Sequence, residues 1–185
     1  MPSNQITETN FAQLFRTRSA KFGGKVRWRQ KRDGSWLRAS WRENQRMVNS
    51  LVAGLDEIGA RRGDVIGIAS STRWEWAVAD WANIGLGAAT VTLYPSNTPA
   101  VNSFILNDSG ACYVFAEDKS QYDKLNSIRA EITLVRRAVQ FDQMIVYFRL
   151  VAGIPPFNRR RDFFFHVRDR AQDTFTAVAL FVAIA

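Results

Sequence analysis

The sequence predicts an α/β fold, with a mostly parallel sheet and helices on both of its faces, and three observations carry that reading. Short apolar runs at 65–69 (VIGIA), 89–93 (ATVTL) and 112–116 (CYVFA) are flanked by polar residues and glycine, as strands buried on both sides are. Between them lie stretches with apolar residues at three- and four-residue steps, the spacing of one helix face. Gly59, Gly87 and Gly110 close successive helical stretches, where a left-handed residue ends a helix most easily. Strands alternating with helices build parallel sheets. At 185 residues the chain is long enough for one domain with its own core.

Taken in order, Asn10 to Phe22 carries Phe11, Leu14, Phe15 and Phe22 at near-helical spacing and predicts an amphipathic opening helix. KVRWRQK and SWLRASW follow as two strands joined by Asp33-Gly34, a strong hairpin signal. Ser40 and Glu43 have the spacing of a capping box, and Val48, Leu51, Val52, Leu55 and Ile58 continue the helix behind them to Gly59. After the strand at 65–69, Thr72 and Glu75 repeat the capping-box spacing. They predict a helix through Trp74, Ala77, Val78, Trp81 and Ile84, ended by Gly85 and Gly87. Thr98-Pro99 places a cap before a proline at the first helical position, ahead of Val101, Ile105 and Leu106. A strand at 112–116, a helix near 120–131 and a strand at 134–141 complete the regular part.

Beyond about Asp142 the pattern changes. Residues 143–185 hold seven of the thirteen phenylalanines and six arginines but no lysine, and no cap, turn or strand signal agrees with its neighbour. Such local inconsistency marks a stretch not selected to fold. The expected organisation is therefore one subdomain over 1–142 and an aberrant, poorly ordered tail over 143–185. Composition and periodicity fail together near residue 142, which predicts a shift of reading frame there. The coding DNA, read in its other two frames, tests that.

Composition excludes several classes. Cys112 is the sole cysteine, so neither an intrachain disulfide nor a cysteine metal cluster can form, and its apolar strand makes it a structural thiol. His166 is the only histidine and has no ligand spacing around it. No basic segment followed by an apolar run opens the chain, and the most apolar stretch, 174–185, is a dozen residues against the roughly 20 a spanning helix needs. A cytoplasmic protein without a membrane-spanning segment is expected. The net charge of +8 raises a nucleic-acid or anionic-membrane surface, but Arg16, Arg27, Arg42, Arg73, Arg129 and Arg149 lie in different elements. Charge dispersed over solvated faces, with no nucleic-acid partner, is the expectation.

Three segments carry a family resemblance. SWRENQRMVNSLVAGLDEIGARRGDVIGIAS, STRWEWAVADWANIGLGAATVTLYPSNTPA and ILNDSGACYVFAED resemble, in order and spacing, the AMP-forming acyl-CoA synthetases, in particular the long-chain fatty-acid–CoA ligases. Trp74, Glu75, Trp76, Asp80, Gly87, Ala88, Tyr94 and Pro95 keep the registers of one family run, and Asn107, Asp108, Ser109, Gly110 and Ala111 those of the next. Thr92 stands where the family usually has proline, a change of turn rigidity and not of chemistry. The resemblance runs from about Phe11 to Asp142 and identifies 1–142 with the N-terminal subdomain of the AMP-binding domain.

That resemblance implies ATP- and Mg²⁺-dependent activation of a fatty acid to an acyl-adenylate, then transfer to coenzyme A. The complete family member binds fatty acid, ATP, Mg²⁺ and coenzyme A. The Ser/Thr-Gly-rich phosphate loop ending in Pro-Lys-Gly occurs nowhere in these 185 residues, nor does a Gly-Lys-Ser/Thr run. No catalytic, cofactor-binding or metal residue is therefore assigned, and this chain alone is expected to be inactive and to hold no cofactor. The residues themselves read as structural. Trp74, Trp76 and Trp81 are core packing, Arg73 and Glu75 surface or cap residues, Asp80 a partner for a nearby base, and Tyr94-Pro95 a turn. A basic nucleic-acid-binding module and a non-catalytic protein-interaction module, associating through exposed apolar surface, are the alternatives.

Overall fold

The structure, a computed structural model, describes residues 6–32 and 34–141. The expectations for 143–185 lie outside these residues. Helix α1 (Phe11–Phe22) precedes a hairpin of β1 (Val26–Arg32) and β2 (Ser35–Ser40). There follow α2 (Trp41–Glu57), β3 (Val65–Ala69), α3 (Trp74–Leu86), β4 (Ala89–Leu93), α4 (Pro99–Ser109), β5 (Ala111–Ala116), α5 (Lys119–Ser127) and β6 (Arg137–Gln140). The four later strands form one sheet in the order β4-β3-β5-β6, every pair parallel, and the hairpin pairs separately and antiparallel.

The period-two alternation of the strands divides the core into two layers. Ile66, Ile68, Tyr113 and Phe115 point to one side, under α2, α3, α1 and the hairpin. Val65, Ala69, Val114 and Ala116 point to the other, under α4 and α5. Gly67 lies in the centre of β3, where an added Cβ would come within 3.1–3.2 Å of Leu93, Leu106 and Val114. Only a residue without a side chain lets α4 sit that close to the sheet.

Several local expectations hold for the reasons that produced them. Ser40 accepts from the Glu43 amide while the Glu43 carboxylate accepts from the Ser40 amide, the full capping box. Thr98 caps α4 with Pro99 behind it, and Gly87 and Gly110 take left-handed conformations at the ends of α3 and α4. Trp81 stacks on Phe15 with ring centroids 4.8 Å apart, and Trp74 on Trp28 at 5.0 Å. Trp74, Trp76 and Trp81 all pack against the core, as read.

Other expectations are corrected. Thr72 does not cap α3. The N-cap is Arg73, one residue later, whose guanidinium has no acceptor for a first-turn amide and instead donates to the Glu75 carboxylate. Gly85 does not end the helix; it is helical, and its bare Cα faces Val52. In α4, Val101 and Phe104 are exposed while Asn102 and Ser103 are buried, so the apolar face read from the sequence is turned partly outward. On the buried side Leu106 enters the core and Asn102 Oδ1 accepts from Asn97 Nδ2. Phe11 is likewise exposed. The last helix and strand are shorter than read, because residues 128–136 turn to bring β6 beside β5.

Candidate functional site

Sheet order reverses between β3 and β5: β4 lies on one side of β3, while β5 and then β6 lie on the other. In open parallel sheets, ligands bind outside the carboxyl ends of the strands at such a reversal. The three family-like segments all converge on that edge. Ser70–Glu75 leaves β3, Tyr94–Thr98 leaves β4, and Glu117–Asp118 leaves β5.

At the reversal itself the chain fills the crevice with its own charges. The Glu117 carboxylate accepts from the Ser71 amide at 2.7 Å and from the Ser71 hydroxyl at 2.6 Å, and lies 3.4 Å from Arg73 Nη1. Arg73 donates to Glu75 through two nitrogens, Nε at 2.7 Å and Nη2 at 2.6 Å, in the planar fork that makes such pairs strong. Glu75 is 0% exposed, and Arg73 supplies the partner that a buried carboxylate requires. Arg32 approaches the same carboxylate at 3.9 Å, and Gln30 accepts from the Trp74 amide at 3.0 Å. The hairpin is thereby tied to the start of α3. Burial pushes the Glu117 carboxyl up, but the Ser71 hydrogen bonds and the Arg73 charge outweigh it and hold Glu117 below the usual carboxylate range.

Next to this cluster, Lys124 of α5 clasps the turn after β4. Its ammonium donates to the carbonyls of Pro95 at 2.6 Å and Asn97 at 2.9 Å, and Asn97 closes the turn onto the Tyr94 carbonyl. Tyr94-Pro95 is thus turn chemistry, as read, although the Tyr94 ring itself is exposed.

Arg73 and Glu75 were read as surface or cap residues: Arg73 is the N-cap of α3, but Glu75 is buried, and the two form an ion pair that is not at the surface. Asp80, read as a partner for a nearby base, makes no ion pair among the described residues. Sequence reasoning gave Ser71, Glu117 and Lys124 no role. Glu117 ends the CYVFAE strand, and a carboxylate leaving a buried strand was the one available signal. Its partner lies 46 residues away, and no spacing rule spans that distance. Among the described residues no group of three or more His, Cys, Asp or Glu side chains is placed to hold a metal, and no helix is long and apolar enough to cross a membrane. A cleft between α5 and β6, floored by Val114, Leu125 and Val135, contains none of the switch-point residues.

A parallel sheet covered by helices on both faces, with a separate antiparallel hairpin, defines a layered α/β domain. The chain belongs to the AMP-binding enzyme family, whose pattern matches residues 15–150. It is 31% identical over 108 residues to the long-chain-fatty-acid–CoA ligase FadD15 of Mycobacterium tuberculosis, covering 58% of this chain and 18% of that protein. Over 129 residues it is 22% identical to the long-chain-fatty-acid–CoA ligase ACSBG2 of Xenopus laevis, covering 70% of this chain and again 18% of the relative. The chain thus spans under a fifth of the length of these relatives. Among solved structures, the N-terminal domain of FACL13 from M. tuberculosis matches with a TM-score of 0.69 at 19% identity, covering 88% of this chain and 44% of that one. The M. tuberculosis fatty acyl CoA synthetase matches at 0.69 and 20%, covering 80% and 29%. At such identities these likenesses establish the fold.

The family's nucleotide and Mg²⁺ do not fit the described residues. A triphosphate needs free amides and cations, and at the reversal the Ser71 amide is already taken by Glu117 and the Arg73 fork by Glu75. Among the described residues no carboxylate cluster stands ready for the cation.

Proposed function

We propose that this chain supplies the N-terminal scaffold of a long-chain fatty-acid–CoA ligase. The parent reaction is ATP-dependent activation of a fatty acid to an acyl-adenylate and then to acyl-CoA, in a compartment that supplies ATP and coenzyme A, the cytoplasm. In this reading residues 1–142 form a subdomain that carries none of the reacting groups and does not turn over alone. The carboxyl edge supports this most directly: Arg73 and the Ser71 amide are committed to the chain's own carboxylates and Lys124 to its carbonyls, so the edge braces neighbouring parts of an active site without gripping nucleotide.

Two measurements test the reading. Titration of the purified chain with ATP and Mg²⁺ is expected to give no saturable heat, and a stoichiometric complex would overturn the scaffold assignment. A FadD15 chimera carrying this chain's matching segment in place of its own is expected to retain acyl-CoA formation. A folded chimera without activity would overturn the ligase assignment.

A further inference from the structure

The positive charge of this protein is not dispersed. Residues 16–46 hold eleven Lys and Arg against two Asp and Glu, hence +9. The remainder of the chain holds fourteen against fifteen, hence −1. The whole positive excess thus lies in α1, the hairpin and the first turns of α2, and nine of the eleven cations are exposed.

The hairpin concentrates it further. On its inner face Trp28 stacks on Trp74 and donates to Asn44, Gln30 accepts from α3, and Ala39 is buried. On its outer face stand Arg29, Lys31, Trp36 and Arg38, all exposed, with Arg29 directly opposite Arg38 and Lys31 directly opposite Trp36. Like charges opposite one another on a sheet destabilise it, and none of these three cations is in an ion pair among the described residues. Trp36 is 67% exposed, and among the described large apolar side chains only Tyr94 and Phe104 are more so. At the open end of the hairpin the cations continue: Lys21 and Lys25 lie against the Phe22 ring, and Arg42 passes over Gly23.

We infer that the outer face of the hairpin docks on an anionic lipid surface. The cations match anionic headgroups, and an indole with an apolar body and a polar N–H settles at the headgroup layer. A single-stranded nucleic acid fits less well. Such binders stack successive bases on successive aromatic rings, and here Trp36 is the only ring on the outer face while Trp28 is held inside. The inference goes beyond the ligase reading and does not depend on it.

Co-sedimentation of the full chain with vesicles tests it. The chain is expected to partition onto phosphatidylglycerol–phosphatidylcholine vesicles at low salt, weakly onto phosphatidylcholine alone, and to leave the anionic vesicles as salt rises. Combined Arg29→Gln, Lys31→Gln and Arg38→Gln is expected to lower the partition coefficient on the order of a hundredfold, at about tenfold or less per cation. Trp36→Ala is expected to lower it at both salt levels. Combined Arg62→Gln, Lys119→Gln and Arg136→Gln, with the same loss of net charge elsewhere, is expected to change it less than threefold by rough estimate, because surface attraction fades within a Debye length. The apolar segment 174–185 is present in every variant, so differences between them report on the hairpin. The inference is overturned if anionic vesicles do not bind the chain at low salt, if the hairpin triple variant binds like the parent or like the control triple, or if a single-stranded oligonucleotide binds where vesicles do not.

Discussion

The carboxyl edge of the sheet and the outer face of the hairpin are both crowded with charge, and they dispose of it in opposite ways. At the edge each cation meets a carboxylate or carbonyl: Arg73 meets Glu75 and Glu117, and Lys124 meets two backbone oxygens. On the hairpin Arg29 faces Arg38 across the ladder, and neither is in an ion pair among the described residues, although Glu43 feels the Arg38 charge at longer range. The edge sits where three chain segments must be fixed relative to one another, and burial forbids an unpaired charge there. The hairpin face sits in water, where an unpaired charge costs little. Pairing therefore follows burial, and the unpaired charges are the ones left to meet something outside the chain.

Breaking the edge is expected to cost most. Glu75→Ala leaves the Arg73 guanidinium without its main partner in a site with little water. A loss of about 3–5 kcal/mol of unfolding free energy is expected, read by urea denaturation. A loss under about 1 kcal/mol would mean that water reaches the pair. Next comes the sheet beneath it. Gly67→Ala forces a methyl against Leu93, Leu106 and Val114, with an expected cost of about 1–3 kcal/mol in the same assay.

Acid should separate the two regions. Glu117 titrates below the ordinary carboxylate range when folded, so its contribution is fully present above the unfolded value and is lost as pH falls through the folded one. Glu43, held down chiefly by the Ser40 amide and hydroxyl, acts in the same direction. Stability of the parent is expected to fall below the ordinary carboxylate range, and to fall less steeply in Glu117→Gln. An unchanged slope in that variant would remove Glu117 from the account. Ser40→Ala, which unlinks the hairpin from α2 at the cap, is expected to cost about 1 kcal/mol.

The smallest effect has the opposite sign. Arg38→Glu places a carboxylate opposite Arg29 and is expected to stabilise the chain by about 0.2–1 kcal/mol while weakening its hold on anionic vesicles. A variant both less stable and better bound to vesicles would invert the comparison between the two regions.

Much of the fold was legible in the residues. Ser40 with Glu43, and Thr98 before Pro99, announce their helices because a cap is a contact between neighbours three positions apart. VIGIA and CYVFA announce buried strands because both of their faces are covered. The site was less legible. Thr72 and Glu75 have the spacing of a cap, yet the helix starts one residue later, at an Arg73 N-cap, and Glu75 turns inward to the Arg73 guanidinium. Val101 and Phe104 have the composition of a core face, yet they face solvent while Asn102, bonded to Asn97, and Leu106 lie inside.

The sequence by itself determined the alternation of strands and helices, their caps and the family they belong to, because these rest on periodicity and on contacts within a turn or two. Only the tertiary structure decided that Ser71, Arg73 and Glu117 share one crevice, and that Arg29, Lys31, Trp36 and Arg38 share one open face. Strand order and hairpin register set those meetings, and both are fixed by packing between segments far apart in the chain, which no local pattern records.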